Sequence, residues 1–175
     1  ELIKIKKTIN KNNSLFVSGS TARYSKELKA IKKFVSKDKI LSIHCISKVN
    51  WIRYAHHVLE PITIMIGTNL KYIRALSCSK KYQILQIKYK NNINVILEFS
   101  SSHYDIKSTF FLKNKKPVEL RFENYFYSFK NTLMEYIKMV RSNKKMIPYK
   151  DIYNIAEIVI KGQESLNNKG KKIYF

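Results

Sequence analysis

Leu2, Ile5 and Ile9 recur at spacings of three and four over residues 1–11, which predicts a short helix that Asn12 and Asn13 end. SLFVSGS at 14–20 is then a short apolar strand closing in Gly19 and Ser20. RYSKELKAIKKFVSK places Leu28, Ile31 and Val35 on one face and predicts a second helix. KILSIHCISKVN alternates as a strand, with Ile40, Ser42, His44, Ile46 and Lys48 on one side and Leu41, Ile43, Cys45, Ser47 and Val49 on the other. WIRYAHHVLEP at 51–61 follows, the densest polar-aromatic stretch of the chain, and predicts a loop leading into a helix that runs to about Ile66.

The period then changes. NLKYIRALSCSK, YQILQIKYK, NINVILEFSS, DIKSTFFLK and KPVELRFE are strand-length runs rich in Ile, Val, Tyr and Phe, separated by short polar pairs. Connections this short favour an antiparallel meander, with KNN at 90–92 and KNKK at 113–116 as hairpin turns. Two helices close the chain. One carries a stripe of Phe126, Phe129, Leu133, Tyr136, Ile137 and Val140. The other carries Ile152, Ile155, Ala156, Val159 and Leu166 between Pro148 and Gly170, and KKIYF reads as a last strand. Burying a stripe of six large side chains would contribute on the order of 10 kcal/mol. The expected fold class is α+β: a mostly antiparallel open sheet with helices packed on one face, its other face free for a partner or ligand.

Composition adds less than it first suggests. A net charge of +22 points by physics alone to a polyanion partner. Yet Lys outnumbers Arg 29 to 5, Ile, Asn, Tyr and Phe are plentiful, and Ala, Gly and Pro are scarce. Those are the residues of A- and T-rich codons, and the Lys residues are spread over the whole length. A non-catalytic basic module that binds nucleic acid through an exposed sheet face is therefore the alternative reading, with a solvated basic surface as the leading one. No apolar run reaches the roughly 18 residues of a membrane span, and no signal peptide is visible, so a cytoplasmic protein is expected. Cys45 and Cys78 lack metal-ligand spacing and read as a pair of buried thiols. The four histidines never approach HExxH spacing, so no metal site is expected.

Three stretches taken together resemble a known family. They are SLFVSGSTARY, WIRYAHHVLEPITIMIG, and MEYIKMVRSNKKMIPYKDIYNIAEIVIKGQESLNNKGKKIYF. Their order and spacing are similar to the C-terminal two-thirds of the Gfo/Idh/MocA oxidoreductases, and the second is similar to a subgroup reading Trp-x-x-Tyr-Gly-x-His-x-Leu-Glu-Pro. The resemblance implies an NAD(P)-dependent oxidoreductase acting on a sugar, nucleotide sugar or polyol. Residues 1–24 would be the remnant of a Rossmann-type nucleotide-binding domain, and residues 25–175 a substrate-binding and oligomerisation domain. The sequence holds no GxGxxG and no Glu-Lys-Pro segment. The resemblance therefore puts the main NAD or NADP site and the family's usual catalytic Lys outside these residues, and implies that this piece alone is inactive. It also implies a homo-oligomer, dimer or tetramer, built through the sheet face.

The resemblance makes His57 the catalytic residue. An imidazole suits proton exchange with a substrate hydroxyl because its ordinary pKa lies near 6.5. His56, about 100° further round the helix, is expected to be structural. Many family members have an Asp one turn before the His, where this chain has Arg53. Arg53 either grips an anionic substrate group, which favours a sugar acid or nucleotide sugar, or is a surface residue. Tyr54 shares the His57 face and is a second catalytic candidate or a core residue. Trp51 is a candidate for the pocket mouth or for packing. Glu60 either holds His57 and substrate or serves the helix dipole. Arg23 and Tyr24, where the resemblance brings cofactor and substrate regions together, either touch cofactor or substrate or tie two domains together. His44 and His103 have no partner in sequence and are expected to be structural.

Overall fold

The computed structural model describes residues 1–12 and 14–175. Helix α1 spans Leu2–Asn12 and buries only Ile9 among its apolar residues. Asn12 is its last residue, and Asn13, the other half of the expected stop, lies outside the described residues. Residues 14–20 do not form the expected strand. Their polar groups are met by side chains instead of a ladder. The Phe16 N–H donates to the Tyr149 hydroxyl at 3.0 Å, Tyr149 donates to the Ser14 carbonyl at 2.7 Å, and the Ser20 N–H donates to Glu60. A 3-10 turn at Thr21–Tyr24 leads into α2, Lys26–Phe34. Ser25 caps α2 by accepting the Leu28 N–H, and Leu28, Ile31 and Val35 are buried as expected.

The strands are β1 (Ile40–Lys48), β2 (Leu70–Cys78), β3 (Tyr82–Tyr89), β4 (Asn94–Ser100), β5 (Lys107–Leu112), β6 (Val118–Arg121) and β7 (Ile173–Tyr174). They form one sheet in the order β6-β5-β1-β4-β3-β2-β7. Only β1 and β4 run parallel; every other pairing is antiparallel. The expected meander holds from β2 to β4 and again from β5 to β6. It is broken between β4 and β5 because β1 inserts between them. Asn92 and Asn114 take left-handed conformations in the two expected hairpin turns, with φ of 69° and 57°.

One face of the sheet is the core. Ile43, Cys45, Ile73, Leu85, Ile87, Val95, Leu97, Phe99, Phe110 and Leu120 are buried there. A bulge between Ile40 and Ser42 turns Ile40 inward and leaves Leu41 exposed, reversing the expected sides of those two residues. Helix α3, Trp51–Ile66, and helix α5, Tyr149–Asn167, cover the core face and pack on each other. On α5 the expected Ile152, Ile155 and Leu166 are buried, and Ile158 is fully so.

Helix α4, Tyr125–Ser142, departs from expectation. Phe126, Phe129, Leu133, Tyr136 and Val140 of its apolar stripe are exposed, Phe126 at 77%. The helix rests on the 3-10 turn and buries only Ser128 and Met139. A periodic stripe identifies a face, and the sheet's core face is already filled by α3 and α5. Cys45 is buried and its thiol donates to the Ser108 hydroxyl at 3.1 Å, but Cys78 is exposed, against the expectation of two buried thiols. Among the described residues, no helix is long and apolar enough to cross a membrane.

Candidate active site

Asn50 starts α3 by accepting the Arg53 N–H on its side chain at 3.2 Å, and Gly67, with φ of 79°, ends it. Ala55, Val58, Leu59 and Ile62 bind the helix to the core. That fixes where its polar side chains point. His56, His57 and Glu60 lie toward the segment that carries Gly19, Ser20 and Arg23.

Glu60 organises this contact. It is 1% exposed and sits in the third turn of α3, too far along for the helix dipole to explain it. One carboxylate oxygen accepts from the Arg23 Nε at 2.6 Å, and the other accepts the Ser20 N–H. Burial raises the Glu60 pKa, while Arg23 and the Ser20 N–H oppose that shift. The carboxylate comes so near the backbone that a Cβ at position 19 would lie 2.7 Å from it, and Gly19 has φ of 148°. Only glycine meets both conditions.

The pinned segment brings Ser20 to His57. The Ser20 Oγ lies 2.9 Å from His57 Nδ1 and accepts the Ala22 N–H at 3.1 Å. Burial lowers the His57 pKa to about 4, with the neighbouring His56 adding to the shift. The ring is therefore neutral at neutral pH. Burial lowers His56 as well.

His57, Ser20, Thr21 and Ala22 line one cavity of about 170 Å³ together with Ile106, Phe122, Tyr125 and Ser128. The lining carries four hydroxyl side chains and no Lys, Arg, Asp or Glu, in a chain of net charge +22. His56 lines a separate cavity of about 360 Å³ with Ser18, Gly19 and the α5 residues Ile152, Ile155, Ala156, Val159 and Ile160. The two imidazoles touch, with centroids 3.9 Å apart, yet serve different cavities.

The other candidates separate. Trp51 is fully buried, so it is a core residue and not a pocket-mouth residue. Its indole donates to the Val159 carbonyl at 2.8 Å and meets Phe99 edge-on at 5.5 Å. Arg53 is exposed and does not line the His57 cavity. Tyr54 packs partly against the core, its ring 6.2 Å from that of His57, and does not line the cavity either. Arg23 is held by Glu60, so its chemistry is that of an internal tie. Tyr24 is half-buried, which pushes its hydroxyl to about 12, and its carbonyl accepts from Asn131 of α4 at 3.2 Å. His44 and His103 have a partner after all: both reach Glu98 on the open sheet face, at 3.3 and 3.1 Å. Ser20, Thr21, Tyr125 and Ser128 were not singled out by sequence. The only signal for Ser20 was the small-residue turn that contains it. Among the described residues, no three or more His, Cys, Asp or Glu gather as a metal site.

This architecture is that of the C-terminal part of Gfo/Idh/MocA-type dehydrogenases. Among solved structures, a probable dehydrogenase from Thermotoga maritima superposes with a TM-score of 0.79 at 14% identity, over 99% of this chain and 70% of that one. Scyllo-inositol dehydrogenase from Lactobacillus casei, with NAD(H) and scyllo-inositol bound, gives 0.72 at 11% identity, over 99% and 68%. Myo-inositol 2-dehydrogenase from Lactobacillus plantarum gives 0.74 at 13% identity, over 99% and 69%. At these identities the likeness is one of fold. No protein-family model and no curated sequence matches the chain.

The described residues do not fit the pyrophosphate of a dinucleotide. Such a group needs a glycine-rich turn feeding backbone N–H groups at a helix N-terminus. The one glycine near the site, Gly19, is packed against a carboxylate.

Proposed function

We propose that this chain is the substrate-binding part of an NAD(P)-dependent oxidoreductase that acts on a neutral polyol or sugar, with His57 as the acid–base group. Residues 1–24 are taken as the tail of a nucleotide-binding domain, and the dinucleotide is held mainly by residues other than those described. When bound, the nicotinamide supplies the redox chemistry. The residues described here supply the proton chemistry and the fit.

The observation that carries the reading is the His57 ring at the wall of an uncharged, hydroxyl-lined cavity. A neutral imidazole can accept a proton from a substrate hydroxyl. Ser20, Thr21 and Ser128 offer hydroxyls to match those of a polyol, and Phe122 and Tyr125 offer ring faces to its C–H surface. An anionic sugar would find no cation there. This moves the reading away from a carboxylate or phosphate gripped by Arg53. The exposed sheet face, with Ile46, Ile84, Ile96 and Phe111 on it, is proposed as the oligomer interface.

The test is a substrate panel on the full gene product with NAD and NADP. Neutral cyclic polyols and sugars should drive cofactor reduction. Turnover of sugar acids alone, or of none of the panel, would contradict the reading.

A further inference from the structure

We propose that the Ser20 hydroxyl stands between the substrate and His57, donating its hydrogen to Nδ1 and receiving the proton of the substrate hydroxyl. This rests on the reading of His57 as the acid–base group. A serine oxygen has one hydrogen to give and two lone pairs to accept with. One lone pair of the Ser20 Oγ takes the Ala22 N–H at 3.1 Å. Its one other partner among the described residues is His57 Nδ1, at 2.9 Å. Ser20 is 5% exposed, and a buried hydroxyl hydrogen needs an acceptor. A neutral imidazole with its proton on Nε2 provides one at Nδ1. The remaining Oγ lone pair is then left for the cavity that Ser20 and His57 both line.

The resulting step is a double proton transfer. The substrate O–H bond breaks as a new Oγ–H bond forms, and the original Ser20 O–H bond breaks as Nδ1–H forms. Alcohol plus imidazole becomes alkoxide plus imidazolium; atoms and charge balance, and Ser20 ends as it began. The Glu60 clamp on the Ser20 N–H and on Arg23 holds the hydroxyl in this place. Ser20 and His57 are 37 positions apart in sequence, so the relay exists only because that clamp closes.

Nitrogen NMR of the chain labelled with 15N-histidine tests the direction of the bond, because a ring nitrogen that carries a proton resonates far from one that does not. The His57 signals are assigned by their loss in His57→Gln. In the wild type, Nε2 should be protonated and Nδ1 bare. Ser20→Ala should weaken that preference toward that of a free neutral imidazole, Ser20→Thr should keep it, and the His44 and His103 signals should stay unchanged in both. A wild-type ring protonated on Nδ1, or a spectrum indifferent to Ser20→Ala, overturns the proposal. The wild-type spectrum decides the direction of the bond even if a variant fails to fold. In the full gene product, Ser20→Ala should lower kcat by about 10-fold or more with Ser20→Thr restoring most of it. Unchanged turnover in Ser20→Ala beside a crippled His57→Ala would remove the relay and leave His57 in place. Unchanged turnover in His57→Ala would remove the parent reading, whatever the spectrum shows.

Discussion

Arg23 and Glu60 meet 2.6 Å apart as an ion pair beneath the protein surface, with the carboxylate 1% and the guanidinium side chain 17% exposed. The pair ties the 3-10 turn to α3, and the same carboxylate takes the Ser20 N–H. Removing one partner of a buried pair strands the other. Arg23→Met is expected to destabilise the chain by about 3 kcal/mol or more. Urea denaturation of the two proteins measures it. A loss under about 1 kcal/mol, the size of a surface pair, would mean that the turn is not held this way.

His57 gives stability a pH dependence. Its folded pKa of about 4 lies below the ordinary 6.5, so the unfolded chain takes up a proton that the folded chain refuses. Acid therefore favours unfolding, and stability falls as pH drops from about 6.5 toward 4. His56 is shifted in the same direction. Glu60, raised by burial, acts oppositely: its share of stability is lost as pH rises above its ordinary 4.5. The urea midpoint should be lower at about pH 5 than at about pH 7, and the difference should shrink in His57→Gln. An equal difference in the variant would show that the ring is not desolvated when folded.

Helix α4 gives a prediction opposite to its sequence pattern. Phe126 and Phe129 are 77% and 60% exposed, so Phe126→Ser and Phe129→Ser should each change the stability of this chain by no more than about 0.5 kcal/mol. Ile158→Ala, at a fully buried position of α5, should cost about 2–5 kcal/mol. Thermal melts of the three variants decide between the exposed and buried placements.

Gly162 makes room for Trp51. A Cβ on Gly162 would lie 2.3 Å from the indole, in a helix whose own geometry would accept alanine. Gly162→Ala should therefore destabilise the protein by roughly 1–3 kcal/mol, although alanine is the better helix former. A stabilised variant, seen as a raised urea midpoint, would place Trp51 elsewhere.

The periodicities of β1 to β6, α3 and α5 are legible because each element's burial largely follows its own apolar spacing, the bulge at Ile40 and Leu41 being a departure within β1. Two kinds of information are not. The insertion of β1 between β4 and β5 is a pairing choice that no local spacing encodes. The exposure of α4 depends on which helices occupy the core face, and α3 and α5 fill it. The site divides in the same way. The stretch from Trp51 to Glu60 stood out by composition, but residue type did not reveal that Trp51 and Glu60 are internal. Ser20 is inconspicuous in sequence because a serine in a small-residue turn becomes distinctive only when a distant imidazole lies beside it.

His57 is proposed to handle the substrate proton. Steady-state turnover of the full gene product and of its His57→Ala variant tests it most directly, with a neutral polyol and NAD or NADP. The expected result is a kcat lower by about 10²-fold or more, the size of a lost acid–base group. A variant that turns over at the wild-type rate would take His57 out of the proton chemistry.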